Sequence, residues 1–556
     1  MKSTRKYNKY FLILLSILLV SCMDMEEINR NPNGVDPSIA HPDLLMSTII
    51  TETGKMVVGL GYGHLAGVMQ HTQKDGWSGG HNSYDWGPSD QDWGGYYAIL
   101  RNVDEMYRKS VERDLEFQQG VALIFRAYVF GLITDLWGDA PYTNALKGYL
   151  GGEEYLVPKF DSQELIYAGI LADLDSANTR LSQKSSAYLL GSVTAVQDVL
   201  YQANVERWRK FANSLALRYY MRLSEKQPEI SRAGIEMIVG DPEGYPIILN
   251  TSDDASMLYP GTSDLDSWPA NTIFDGTGGS NFRRLKMCAT LVDTLQGLND
   301  PRLGLWAAKI DIPLVVVDAP ADRDEIVDGV RYVGPDVVDP YVTSLGFQVD
   351  EDPEYVGLPP AWSIIPQAYN LNPNLEQAPH NPHASHLNDR YMNASGDLLV
   401  SRMMSAAEVH FIIAEAALNG WTTESAQEHY EDAVKSSFDA WGIGGVSDDY
   451  LLNAGVSYEG TTEQIMEQKW IASWTAAAES WFDYRRTGLP ALQHGTEVKR
   501  DALPIRFYYS VEEMDYNLEN TLEAIDGLET TGFSAEDGKN SAWSKMWLLQ
   551  GTGKPY

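Results

Sequence analysis

The stretch SAAEVHFIIAEAALNGWTTESAQEHYEDAVKSSFDAW, residues 405–441, holds two helices and the stop between them. Its apolar spacing predicts a first helix over Ala407–Asn419, closed by Gly420. A second follows with Ala426, Tyr430 and Ala433 on one face. Small residues flanking a large ring at helical spacing let a neighbouring helix approach closely, so this stretch reads as a packed helix pair.

Ala-x3-aromatic-x2-Ala on the second helix of a pair is the packing pattern of tetratricopeptide repeats. Outward from it, the same 3.6-residue period recurs. Ile166, Ile170, Leu174, Ala177 and Leu181 form one stripe within Phe160–Leu181, and Phe125–Trp137 and Trp208–Leu223 read as amphipathic helices with Arg and Asn on the opposing faces. Glu463–Arg485 reads as one long helix ending in Arg485-Arg486-Thr487-Gly488-Leu489-Pro490, a cationic last turn with Gly and Pro after it. The expected fold is mostly α: a tetratricopeptide-like helical body, mainly 98–239 and 400–510, with a loop-rich lobe containing short strands. That lobe spans 240–400, where Pro, Gly, Asp and Asn crowd around strands at Leu314–Val317 and Ile326–Val333; a second loop-rich region covers 59–97.

The N-terminus adds an address. Lys2, Arg5, Lys6 and Lys9 precede an apolar run from Phe11 to Val20, too short to span a bilayer, so residues 1–21 read as a signal peptide. Leu19-Val20-Ser21-Cys22 resembles a bacterial lipobox, in which Cys22 would be diacylated and become the first residue. Residues 22–37 then form a tether, whose acidic Asp24, Glu26 and Glu27 resemble the tag that sends lipoproteins to the outer leaflet of the outer membrane. Loss of the signal removes four positive charges, so the net charge goes from −35 to −39. Such a charge repels polyphosphate and anionic headgroups, and nucleic acid is excluded as a partner. Cys288 is the remaining thiol, expected to be a small buried hydrophobe, so no intrachain disulfide forms.

Motifs for covalent chemistry are lacking. Gly61-x-Gly63-x-x-Ala66 is not followed by the helix and acidic residue that a dinucleotide fingerprint needs. Gly551-Thr552-Gly553-Lys554 is half a phosphate loop at the terminus. His380, His383 and His386 lie within seven residues, but Pro379 and Pro382 prevent a helix that would align them on a metal. Asp264 and Asp266, with Asp253 and Asp254 nearby, offer oxygen ligands for a structural Ca²⁺ without a calcium-loop motif, and no cofactor is expected.

The loop WSGGHNSYDWGPSDQDW, residues 77–93, is the most informative polar stretch. Flat rings stack on the C–H faces of sugars while amides and carboxylates bind hydroxyls in plane, and each stacked ring contributes on the order of 1 kcal/mol beyond its area burial, by analogy with aromatic pairs. Trp77, Asn82, Tyr84, Trp86, Asp90 and Trp93 are therefore candidate ligand residues, with Trp268 and Asn271 in the lobe. Trp137, Trp208, Trp421 and Trp441 lie on or beside helices and are expected in the core.

Taken in order along the chain, several stretches resemble the SusD/RagB-like outer-membrane lipoproteins: Asn31-Pro32-Asn33-Gly34; Phe125-Arg126-Ala127-Tyr128 through Gly138-Asp139-Ala140-Pro141-Tyr142; Trp208-x-x-Phe211-Ala212-Asn213-Ser214-Leu215-x-x-Arg218; Ala407-Glu408-Val409-x-Phe411; and Gln468-Lys469-Trp470 through Trp481-x-x-Tyr484-Arg485-Arg486-Thr487-Gly488-x-Pro490. The family's terminal Arg-x-Pro-Tyr-Pro pattern departs here to Arg506-Phe507-Tyr508-Tyr509-Ser510. The resemblance implies one SusD-like domain over 38–556, and a non-catalytic lipoprotein with four tetratricopeptide-like units, anchored by Cys22 and partnered with a SusC-type TonB-dependent transporter, to which it delivers captured oligosaccharide. Peptide capture, as by RagB-like members, a helical-scaffold glycoside hydrolase and a purely structural lipoprotein are the alternatives.

Overall fold

The computed structural model describes residues 41–183, 188, 192–277, 279–363, 365–375 and 381–556. The signal segment, Cys22, the tether and His380 lie outside the described residues.

Helices α1 (Asp43–Val58), α2 (Gly94–Glu112), α3 (Glu116–Trp137), α4 (Gln163–Leu181), α5 (Val205–Arg222) and α6 (Pro228–Gly240) build the first half of the body. Helices α7 (Ala406–Leu418), α8 (Ala426–Ala440), α9 (Thr462–Ala472) and α10 (Ala477–Thr487) build the second. Their starts are written in the sequence. Ser405 accepts from Glu408 N at 3.2 Å, Ser425 from Glu428 N at 3.2 Å and Thr461 from Gln464 N at 3.3 Å, each hydroxyl occupying one of the amides that a helix start leaves free. Neighbours in sequence pack against each other: α2 on α3, α3 on α4, α4 on α5, α7 on α8. The stripe of α4 is buried, as are Tyr430 and Ala433 of α8.

Three helical expectations need correction. Helix α3 is buried on nearly all sides, not amphipathic: it is apolar and long enough to cross a membrane, yet 94% of that window lies inside the protein, which marks it as the central core helix. Arg218 and Arg222 of α5 likewise do not face water. Arg218 donates to both carboxylate oxygens of Glu408 at 2.6 and 2.7 Å, and Arg222 donates at 2.5 Å to Asp135 of α3 and Glu479 of α10. Arg218–Glu408 and Arg222–Glu479 stitch the two halves together, because a charge buried without its partner is costly. The single helix expected over Glu463–Arg485 is broken at Ser473–Ala476, where Thr475 has φ of 72°. Backbone at the break meets Gly61, whose added Cβ would stand 3.0 Å from Ala476 Cα, so the interruption makes room for the segment after α1.

The lobe between α6 and α7, together with the loop region between α1 and α2, carries short elements. Strand β1 (Thr72–Lys74) pairs antiparallel with β3 (Leu285–Met287), and β2 (Ala255–Leu258) with β7 (Val400–Met404). Strands β4 (Leu314–Val316), β5 (Asp324–Val327) and β6 (Val330–Val333) form a small sheet in the order β4-β6-β5. The single strand expected over Ile326–Val333 is a hairpin instead. Asp328 and Gly329 at its tip both have positive φ, 51° and 82°, the backbone that twists two strands tightly together.

Candidate ligand-binding site

Helix α1 does not end at Val58 but passes into a π-helical segment, Gly59–Leu65. Beyond it, β1 leads into the aromatic loop. Asn82 fixes that loop: its side chain accepts from Lys74 N and donates to Lys74 O, both at 2.8 Å, as a strand partner would. Trp77 emerges at the tip with φ of 51° and is 74% exposed.

The indole of Trp77 stands between two hollows. One, of about 200 Å³, is mainly apolar and is lined by Val58, Tyr62, Phe282 and Leu285 together with Lys74 and Arg284. The other, of about 370 Å³, is polar and is lined by His64, Lys74, His81, Asp85, Trp86 and Asp90. Gly63, Lys74 and Trp77 belong to both walls. The Arg284 guanidinium lies over the indole, 4.6 Å from the ring centroid. Burial, and then Lys74, hold the His64 imidazole below its ordinary pKa, so it is neutral at pH 7.

The other predicted residues divide sharply. Trp86 is 3% exposed: its N–H donates to Gly80 O at 2.7 Å and its ring packs edge-on against Phe507 and Trp481, so only an edge reaches the polar hollow. Asp90 is exposed there and accepts from Gly87 N at 2.7 Å. Trp93, Tyr84, Trp268, Asn82 and Asn271 are buried and present nothing to a ligand. Trp93 packs among Tyr97, Trp137, Phe160 and Tyr509 and donates to Glu513 at 2.7 Å; Trp268 packs against Tyr62, Tyr259 and Tyr391. Asn271 folds its own turn, donating to Trp268 O and accepting from Phe274 N. These rings plug the loops onto the body, because a large apolar surface gains more from burial than from a ligand that is absent most of the time.

Lys74, Arg284, Phe282 and Asp85 escaped the sequence reading. Lys74 and Arg284 are 210 residues apart in sequence, and only the β1–β3 register, with Lys74 opposite Leu285, sets them side by side. Asp75 N bonds Arg284 O at 3.0 Å in the same ladder. Arg283-Arg284, a paired cation in an acidic chain, was the signal available.

Among the described residues, neither His383 and His386 nor the aspartates converge. His383 bonds Ile312 O at 2.7 Å, while His386 bonds Leu387 O at 2.6 Å, and no group of three His, Cys, Asp or Glu able to hold a metal exists among the described residues. Asp253 pairs with Lys210 at 2.7 Å, Asp254 accepts from Ala406 N, and Asp266 accepts from Thr262 N and Ser263 N. Cys288 is buried and free.

Over residues 37–313 and 365–510 the chain matches the family described as SusD-like, starch-binding associating with outer membrane. The chain belongs to the SusD-like family. Solved SusD homologs superpose along nearly the whole length. One from Bacteroides fragilis has a TM-score of 0.69 at 22% identity, covering 92% of this chain and 99% of its own. Another from the same organism gives 0.69 at 20%, covering 92% and 100%. A chitin-binding SusD homolog from Flavobacterium johnsoniae gives 0.66 at 20%, covering 91% and 97%. At these identities the likeness establishes the fold alone. No curated protein matches the chain by sequence. The family's description is of starch-binding proteins associated with the outer membrane. The departure after Arg506 is absorbed locally: Arg506 is fully buried, donating to Ser541 O and Trp137 O, and Ser510 caps the short helix Val511–Tyr516.

Proposed function

We propose that the protein is a cell-surface lipoprotein that captures oligosaccharides at Trp77 without catalysis and passes them to a SusC-type TonB-dependent transporter, held to the outer membrane by lipid on Cys22. The observation that carries the reading is the outward indole between two hollows. A sugar ring laid on it would have apolar wall on one side and the carboxylates of Asp85 and Asp90, good acceptors for hydroxyls, on the other. One exposed ring supports modest affinity, which suits a protein that must release what it binds. Membership of a family described as starch-binding and outer-membrane-associated supports both the ligand class and the location.

Affinity electrophoresis through gels containing soluble polysaccharides tests this. Trp77→Ala is expected to lose retention by roughly tenfold in affinity, the scale of one stacked ring with its buried area. Retention unchanged in that variant would remove Trp77 from the site.

A further inference from the structure

We infer that the captured glycan bears acid groups, carboxylate or sulfate, seated in the apolar hollow between Lys74 and Arg284 beside the Trp77 indole. This rests on the capture reading and adds the ligand's charge to it.

The hollow on the Tyr62 and Phe282 side is lined by two cations and by no carboxylate. In a chain with 77 acidic against 42 basic residues that is against the composition. Several buried cations elsewhere are paired with a carboxylate: Lys286 with Asp75 at 3.0 Å, Arg302 with Asp300 at 2.6 Å, Arg486 with Glu415 at 2.5 Å. Lys74 is not. Burial, and then the Arg284 guanidinium, push its ammonium below the ordinary lysine pKa, with no carboxylate acting against them. Arg284 donates to Asn281 Oδ1 at 3.2 Å, and its Nε is buried with no partner. Asp75 of the same ladder gives its Oδ2 to Lys286 at 3.0 Å and feels the Arg284 charge without a salt bridge to it.

Two like charges held together in a half-buried hollow, neither of them in a salt bridge, are an electrostatic cost that an incoming anion reduces. Strand pairing sets Lys74 opposite Leu285, next to Arg284 in the chain, so the two backbones are held side by side before a ligand arrives. The Tyr62 hydroxyl, buried on the same wall, also has no partner. Across the indole the charge reverses, with Asp85 and Asp90 lining the polar hollow. A glycan straddling Trp77 would therefore place its acid group on the Arg284 side and its hydroxyls toward Asp85 and Asp90. The mature net charge of −39 repels polyanions as a whole, so retention of one reports a local cationic site.

The test uses the mature chain, residues 22–556, in affinity gels and calorimetry with two matched pairs of polymers. Polygalacturonate and its methyl ester share one ring and differ by a carboxylate; dextran sulfate and dextran differ by sulfate. We expect an acid polymer of one pair to be retained at least roughly tenfold more tightly than its neutral parent, more weakly as salt is raised. The pair that responds identifies the acid group. Lys74→Met with Arg284→Gln should abolish the preference, and Lys74→Arg with Arg284→Lys should restore it, which separates charge from folding. Equal retention of neutral and acid polymers, lost in Trp77→Ala and unchanged in the Lys74→Met, Arg284→Gln variant, would overturn the acid-group inference and leave capture standing. Retention of none of the four by the unsubstituted chain would overturn both.

Discussion

Asp254 lies under the start of α7, where its Oδ1 accepts the Ala406 N–H at 2.7 Å. Burial pushes its carboxyl up to about 7, with the Ala406 hydrogen bond opposing the rise. The folded state therefore binds a proton there that the unfolded chain, titrating near the ordinary 3.8 of an aspartate, has already released. This contribution to stability is full below pH 4 and is lost as pH climbs toward 7, by at most about 1.4 kcal/mol per pH unit. Asp254→Asn keeps an acceptor for Ala406 and cannot ionise. Its thermal midpoint is expected to exceed that of the unsubstituted protein at pH 8 and to converge with it at pH 4; equal differences at both pH values would contradict the shift. Asp483 works the other way: burial alone would raise it, but Lys469, Arg486 and Arg222 together hold it far below the carboxylate range, so its stabilisation appears above about pH 4 and fades in acid. Neither behaviour is legible in the sequence, where Asp253 and Asp254 read as oxygen ligands near Asp264 and Asp266. Which of two adjacent aspartates is buried depends on a helix start 152 residues away.

At the scale of elements, the helices follow from periodicity and caps, but their closeness depends on single positions. Gly131 on α3 faces Tyr219 on α5, and a Cβ there would overlap the tyrosine hydroxyl. Tyr219 is itself buried and bonded to Ala127 O and Tyr128 O at 3.3 Å, so it has nowhere to retreat. Gly131→Ala should therefore destabilise the protein by about 2 kcal/mol despite the better helix propensity of alanine, read as a lower midpoint in urea unfolding. A midpoint that rises would mean that α3 and α5 are not locked at this crossing. The same reasoning explains the broken α9–α10 pair: apolar spacing over Glu463–Arg485 is continuous, and only the approach of Gly61 to Ala476 reveals why the chain must interrupt it.

For the whole molecule, attachment and charge act together. An acidic body gains nothing from an anionic leaflet, so its hold on the membrane falls to the acyl chains proposed at Cys22. Cys22→Ser is expected to abolish incorporation of labelled palmitate and to move the protein out of the outer-membrane fraction. Full labelling in that variant would place the lipid elsewhere or remove it from the account. Cys288, buried and remote from solvent, offers no competing acylation site.

The sequence by itself determined the helical body, the caps that start its helices, the family and the loop from which the exposed ring comes. Those are local properties: apolar period, hydroxyls before helices, glycine around aromatics. It also named eight candidate ligand residues of which Trp77 alone extends its ring into solvent, because the residues that line a site and those that brace it have the same chemistry. Tertiary structure decided between them. It buried Trp93 and Trp268 against other rings, turned Asn82 into a clamp on Lys74, and through the β1–β3 register set Lys74 beside Arg284. Contacts between residues two hundred positions apart leave no trace in spacing, since they arise from packing that only the folded chain computes.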